Sequence, residues 1–336
     1  MLDEAHNIKN SETLKSKAVK FISKRASYKW ALSETPLQNH ILDILSVYEF
    51  LNPEKRIDRK ISEDEIKDLI RPIMLRRLKR DIIRDLPEKL PPEVERFELS
   101  HLQKEYYEKL LSAEKRRIEG VFKKHRFEKN FSFIMKQNII YSLQKLRQIC
   151  NFPPESISSP KSDRMLEMIK EIVDNDEKVV IFSNFVKEGV DKIVKNLRNV
   201  LPADSIVTFH GGLNESERDN SVDRFMNDDR CKVFVGTLGS SSEGLTLTAG
   251  NYVIFFELHW NPAKMWQAED RVHRIGQKNR VNIYYFITKG TVEERIIQRL
   301  SQKKRIIENI IDSDIDEIES ITLEELLDFI DLKISV

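Results

Sequence analysis

The chain has 336 residues, 40% of them hydrophobic and 33% charged, with 56 Lys and Arg against 55 Asp and Glu. At roughly 150 residues per domain this length suits two domains, and a net charge so near zero names no charged partner. No apolar run reaches the about 18 residues of a membrane-spanning helix, and Cys150 and Cys231 lack the spacing of a disulfide scaffold or a zinc finger.

The first residues, Met1-Leu2-Asp3-Glu4-Ala5-His6, are too acidic and polar for a signal peptide, so a soluble, intracellular chain is expected. Residues 11–24 predict an amphipathic helix with Ser11 as its N-cap. Trp30-Ala31-Leu32 predicts a short buried strand, and His40 to Leu51 an apolar helix stopped by Asn52-Pro53. From 63 to 150 apolar residues recur every three or four positions, which is helical periodicity, and only 92–99 alternate like a strand. Residues 71–130 carry 17 Lys and Arg against 11 Asp and Glu, with Arg76, Arg77, Lys79 and Arg80 clustered. The Pro- and Ser-rich stretch 151–162 reads as a linker, and a domain boundary is expected there.

Beyond it, helix and strand patterns alternate. Helices are predicted over 163–174, 186–199, 214–227 and 262–274, and strands over 178–183, 205–209, 232–236, 252–256 and 280–287. Short, continuously apolar strands indicate a parallel sheet covered by helices on both faces. A long helix is predicted over 291–311, with the basic run Lys303-Lys304-Arg305. The tail from Asp312 to Asp331, with nine acidic residues and no basic ones, is expected to stay solvated or to lie on a basic face.

Eight of only ten glycines fall between 211 and 290, so the ligand-approaching loops are expected there. The loop Thr237 to Thr248, rich in Gly, Ser and Thr, directly follows a strand. So does His210-Gly211-Gly212. Both stand where ligands sit in open α/β sheets, and their amides and hydroxyls suit phosphate oxygens. A plain connecting loop explains either one equally well. Adjacent carboxylates at Asp3 and Glu4 suit Mg²⁺ and the orientation of a water on a γ-phosphate, though four such residues also fit an acidic terminus. Arg271 and Arg274, three apart, share a face if helical, an arrangement that suits a triphosphate.

Five segments occur in order: DEAH at 3–6, LSETPLQN at 32–39, LRQICN at 146–151, Phe209-His210-Gly211, and Gln267 through Gln277. Together they resemble motifs of the Swi/Snf family of superfamily-two DNA-dependent ATPases, over nearly the whole chain to about residue 305. Glu257 to Pro262 is similar to the annealing-helicase and Rad-type branch. The resemblance implies a RecA-like parallel sheet with flanking helices as the second helicase lobe, a remnant of the first lobe, and a helical protrusion region. The implied limits are 1–60 for the remnant, 61–150 for linker and protrusions, 151–162 for a linker, 163–290 for the second lobe, 291–311 for a brace helix and 312–336 for an acidic tail.

Carried over by position, Asp3 and Glu4 would serve Mg²⁺ and water activation, and Arg271 and Arg274 the γ-phosphate. His6, Gln38, Glu243, Gly244 and Gln267 would serve ATP binding and coupling between lobes. Ser183, His210, Gly211, Thr237 and Trp260 would line a double-stranded DNA path. The family's phosphate-cradling Gly-x-x-x-x-Gly-Lys-Ser/Thr does not occur in these 336 residues, and Glu34 and Gly239 stand where it usually has Gly and Lys. The expectation is therefore the C-terminal part of an ATP-driven translocase, completed by a first lobe encoded upstream or on another chain. A non-catalytic DNA-binding remnant, or a helicase of another superfamily-two branch, are the alternative readings.

Overall fold

In the computed structural model, the described residues are 1–8, 10–33, 42–55, 57, 61–75, 86–241, 244–259, 262–298 and 322–333. The chain forms two compact units, Met1–Ile82 with Ser301–Thr322 and Ile83–Leu300 with Leu323–Val336.

The first unit contains helices α1 (Leu14–Ser23), α2 (Leu42–Leu51) and α3 (Glu63–Ile70). Thr13, not Ser11, caps α1, accepting a hydrogen bond from the Ser16 amide at 3.2 Å. The Asn10 side chain holds the Glu12 amide at 2.9 Å, so residues 10–13 are a turn and the helix starts late. The expected buried strand at 30–32 shrinks to one parallel rung between Ala31 and Leu2, with Trp30 and Leu32 exposed. Pairing stops there because the chain bends straight after Leu2 and Glu4 turns into the left-handed region at φ 48°. The Ser16 and Ser46 hydroxyls both donate to the Ile8 carbonyl, fixing α1 and α2 to the 3-10 turn Ala5–Ile8. Ile44, Leu45, Tyr48, Ile66 and Ile70 form the core between α2 and α3.

The second unit is built on six parallel strands: β1 (Glu93–Phe97), β2 (Val179–Ser183), β3 (Ile206–Phe209), β4 (Val233–Thr237), β5 (Tyr252–Phe255) and β6 (Asn282–Thr288). Their order is β1-β6-β5-β2-β4-β3. The strand predicted within the helical region thus becomes an edge of this sheet, Glu93 pairing with Tyr284 and Phe97 with Thr288. Alternation along β2 sends Val179 and Ile181 to one face, among Met165, Ile169, Ile193 and Phe256. On the other face rings pack pairwise, Phe182 with Phe255 and Phe225 with Phe234 at 5.4 Å between centroids. Both faces are covered, as continuous apolar strands require.

Helices α4 (His101–His125) and α5 (Phe131–Asn151) form an antiparallel pair. Buried Glu114 fastens them, accepting from Arg117 at 2.6 Å, Ser142 at 2.7 Å and Lys145 at 3.0 Å. Although burial pushes its carboxyl up, these three donors hold it below its ordinary value. The 151–162 stretch is not a loose linker. Asn151 and Phe152 are buried, and Ser159 and Ser162 form a reciprocal cap that starts helix α6 (Pro160–Asp174), where Lys161 is buried. Its prolines and serines mark a helix end and a helix start.

The predicted helix 186–199 divides into a π-helical turn, Val186–Asp191, and α7 (Lys192–Leu197). A Cβ at Gly189 would lie 2.0 Å from the Ser183 hydroxyl, so the chain can pass the end of β2 only at a glycine. Helix α8 (Glu215–Asn227) is capped reciprocally by Asn214 and Glu217. A single turn α9 (Leu238–Ser241) follows β4, helix α10 (Pro262–Val272) follows β5, and residues 292–298 are helical after β6. The acidic tail is corrected in its described part. Helix α11 (Leu323–Phe329) packs on α5 and buries Leu323, Leu326, Leu327 and Phe329, while Asp331 pairs with Lys115 at 3.5 Å. No described helix is long and apolar enough to cross a membrane. Both cysteines are free and buried.

Candidate functional site

Because every strand pair is parallel, the carboxyl ends of β2 to β6 line one edge of the sheet. This is the edge where open α/β sheets bind ligands. His210-Gly211-Gly212 leaves β3 there, with the Gly212 amide donating to His210 Nδ1 at 3.2 Å. Thr237 ends the neighbouring β4, and its hydroxyl lies 3.0 Å from that of Ser240. A Cβ at Gly211 would lie 3.4 Å from Ser240 Oγ, so the two loops touch. The sequence-predicted His210, Gly211 and Thr237 are therefore brought together.

Thr237 is itself buried, and Ser183 more so. Ser183 is fully buried at the end of β2, and its hydroxyl donates to Glu257 Oε1 at 2.8 Å. It supports the edge from beneath, and the expected exposure to a nucleic acid is corrected.

Beneath this edge lies a set of buried charges to which the sequence analysis gave no role. Glu257 follows β5, is 1% exposed, and also accepts the Asn184 amide at 2.6 Å. Burial pushes its carboxyl up, opposed by Arg147. Arg147, equally buried, donates to the Leu258 carbonyl, and burial pushes its guanidinium down. Lys161 Nζ lies 2.7 and 2.8 Å from the two Glu293 oxygens and 3.2 Å from the Phe256 carbonyl. Glu293 in turn accepts the Thr288 amide at 2.8 Å. The available signal was positional: Arg147 stands within LRQICN and Glu257 opens ELHWNP, both quoted for resemblance alone.

Helix α10 carries the arginine motif. Gln267 and Glu269 are buried, and Glu269 accepts from Tyr285 at 2.5 Å and Lys89 at 3.0 Å. Burial works to lower the Lys89 ammonium, but Glu269 and Asp270 overcome it and hold it above its ordinary value. His273 Nε2 lies 2.7 Å from the Pro87 carbonyl. The helix ends at Val272, so Arg271 and Arg274 do not share a helical face as expected. Gln277 forces the stop: its side-chain amide donates to the carbonyls of Val272 and Gly250, and Gly276 turns at φ 103°. Arg271 is buried on the last turn, and its carbonyl accepts the Leu247 amide at 2.8 Å. Arg274 is exposed beyond the turn. Its Nη1 reaches Thr246 Oγ1 at 3.3 Å and the Leu245 carbonyl at 3.4 Å.

In the first unit Asp3 is exposed and accepts the Glu4 amide at 2.8 Å. His6 belongs to the 3-10 turn Ala5–Ile8. Gly244 turns at φ 67° and is exposed. Gln38, Glu243 and Trp260 lie outside the described residues. Among the described residues no group of three or more His, Cys, Asp or Glu could hold a metal ion.

Two family profiles match: a SNF2-related domain over residues 1–155 and a helicase conserved C-terminal domain over 161–276. The SWI2/SNF2 ATPase core of Sulfolobus solfataricus, solved in complex with dsDNA, is 33% identical, with a TM-score of 0.55 over 99% of this chain and 72% of that one. The chain belongs to the SWI2/SNF2 family. Another relative is an uncharacterized ATP-dependent helicase of Mycoplasma pneumoniae, 29% identical over 97% of this chain and 32% of its own length. The TATA-binding protein-associated factor MOT1 of Saccharomyces cerevisiae is 28% identical over 98% of this chain and 21% of its own length. The chain thus spans about a third of the Mycoplasma relative and about a fifth of MOT1. The two profiles meet between 155 and 161, while residues 93–151 pack with the sheet that follows.

Proposed function

We propose that the chain is part of an ATP-driven translocase on double-stranded DNA. Two sets of contacts in the second unit carry the reading. The turn after Thr237 lies beside His210-Gly211, and Leu245, Thr246 and Leu247 bind Arg274 and Arg271. Residues suited to a phosphate backbone and residues suited to a triphosphate therefore lie close together in the sequence.

In this reading Arg274, with Arg271 behind it, reaches the γ-phosphate, where an arginine contributes roughly 10³–10⁵ in rate. His210, Gly211, Thr237 and Trp260 contact the duplex, and Ser183 holds the edge beneath them. Gln38, His6, Glu243, Gly244 and Gln267 couple nucleotide to loop. Asp3 would hold Mg²⁺, an ion bound through one or two carboxylates together with waters and substrate phosphates. When bound, that ion neutralises phosphate charge. Glu4 is held at φ 48°, a conformation that costs a non-glycine residue about 1–2 kcal/mol and is concentrated at functional sites. There it orients the attacking water.

The test is DNA-stimulated ATP hydrolysis by the chain joined to, or mixed with, a SWI2/SNF2 segment that carries a phosphate-cradling loop. Arg274→Ala should lower the rate by roughly 10³-fold or more while folding is retained. An unchanged rate refutes the assignment. Stimulation by RNA instead of duplex DNA would favour another helicase branch, and duplex binding without hydrolysis would favour the non-catalytic reading.

A further inference from the structure

The tip of the α4–α5 pair combines two features that the translocase reading leaves unused. From 120 to 136 there are five Lys and Arg residues, and Glu128 is the sole acid. Glu128 is itself engaged by His125 at 2.7 Å. Three of the cations lie in or just past the last turn of α4, which complements the helix dipole. That explanation does not extend to Lys129 and Lys136, which stand beyond the turn and on α5.

The second feature is aromatic. Phe122 and Phe131 close the tip from inside, edge to face at 5.6 Å. Phe127 and Phe133 take no part in that core and are 87% and 62% exposed. Farther along α5, Tyr141 is 50% exposed, with Lys145 Nζ 4.5 Å and the Arg117 guanidinium 5.3 Å from its ring centroid. Phe133, Gln137 and Tyr141 lie four residues apart on one exposed stripe about 12 Å long. The Arg126 guanidinium lies 4.6 Å from the Phe127 ring centroid. Two of the three exposed rings, Phe127 and Tyr141, thus have a cation close by.

We propose that this tip and stripe form a binding track for single-stranded nucleic acid, distinct from the sheet edge assigned to the duplex. Lysines alone would suit any polyanion. Exposed phenyl rings ask for a flat apolar face, and a duplex hides its bases in the stack. A single strand offers both groups at once, phosphates to the cations and unstacked bases to Phe127, Phe133 and Tyr141. An acidic peptide offers carboxylates but no regular series of flat faces to match rings spaced along a helix.

The experiment is fluorescence anisotropy with the full chain and no nucleotide. The probes are a labelled single-stranded DNA oligonucleotide, a duplex of equal length and an acidic, phenylalanine-containing peptide. The double variant Phe127→Ala/Phe133→Ala should weaken single-strand binding about 30-fold or more, with duplex binding unchanged, since stacking contributes at each of two bases. Lys123→Gln/Lys124→Gln should weaken single-strand binding and flatten its salt slope by about 1.4, two contacts at about 0.7 each. All four residues are exposed, so both variants should unfold at the parent's temperature. The proposal is overturned if the parent binds no single strand at low salt, or if the Phe variant binds it as the parent does. It is equally overturned if the Phe variant weakens only duplex or peptide binding.

Discussion

Replacing Lys161 by methionine should destabilise the second unit severely. Lys161 is 1% exposed, and its ammonium rests on both oxygens of Glu293 and on the Phe256 carbonyl. Methionine matches the length of the stem but removes the charge. Glu293 then stays buried with the Thr288 amide as its remaining described donor. Removing one partner of a buried ion pair costs about 3–5 kcal/mol, because the other charge is left uncompensated. For a unit of roughly this size each kcal/mol corresponds to about 2–4 °C, so the melting temperature should fall by roughly 6–20 °C. Thermal unfolding followed by circular dichroism measures this directly. The double variant Lys161→Met/Glu293→Leu is the decisive control, because apolar replacement of a whole buried pair is often neutral. It should recover most of the loss. A single variant that melts within about 2 °C of the parent would refute the reasoning, as would a double variant no more stable than the single.

Two further outcomes follow from the sheet edge. Gly189→Ala places a Cβ 2.0 Å from Ser183 Oγ and 3.3 Å from Phe185 Cβ, so it should destabilise by about 1–3 kcal/mol in urea unfolding, and adding Ser183→Gly should relieve it; an unchanged midpoint for Gly189→Ala would count against the close approach. Burial raises the Glu257 carboxyl above 4.5 despite Arg147. A group raised on folding stabilises most below its unfolded value, and that contribution disappears as pH rises through the folded value. The parent should therefore lose stability relative to Glu257→Gln as pH climbs from about 4.5, and parallel pH profiles would contradict this.

The strand and helix series after residue 163 was legible because each buried parallel strand is a continuous apolar run between amphipathic helices. The clustering of glycines likewise pointed to the loops after β3 and β4. Which loops touch was not legible, since strand order leaves no local trace. The same is true of β1, whose partner lies about 190 residues later and whose alternation says only that one face is covered. Composition misled twice. Prolines and serines at 151–162 suggested slack, where they shape a packed helix junction. The acid count of the tail obscured the helical spacing of Leu323, Leu326, Leu327 and Ile330, all of them buried. The arginine pair was misplaced because the stop signal is the Gln277 side chain reaching back to Val272, a contact made in three dimensions.

The buried charges also bear on why the edge should be rigid. Burying an ion pair adds little net stability compared with an apolar pair of the same volume. Its effect is directional, because each charge accepts only a few geometries. Arg147 fixes the Leu258 carbonyl, Lys161 the Phe256 carbonyl, Glu257 the Asn184 amide and Glu293 the Thr288 amide. Those four backbone groups lie at the ends of β2, β5 and β6, while the touching loops after β3 and β4 carry the residues proposed to meet DNA. Residues that are to meet DNA in a fixed geometry need a frame that does not move. On this argument Lys161→Met/Glu293→Leu, although restored in stability, should still show faster amide hydrogen exchange at Thr288, because no acceptor of comparable strength replaces the carboxylate. Unchanged exchange there would mean that the charges serve packing alone.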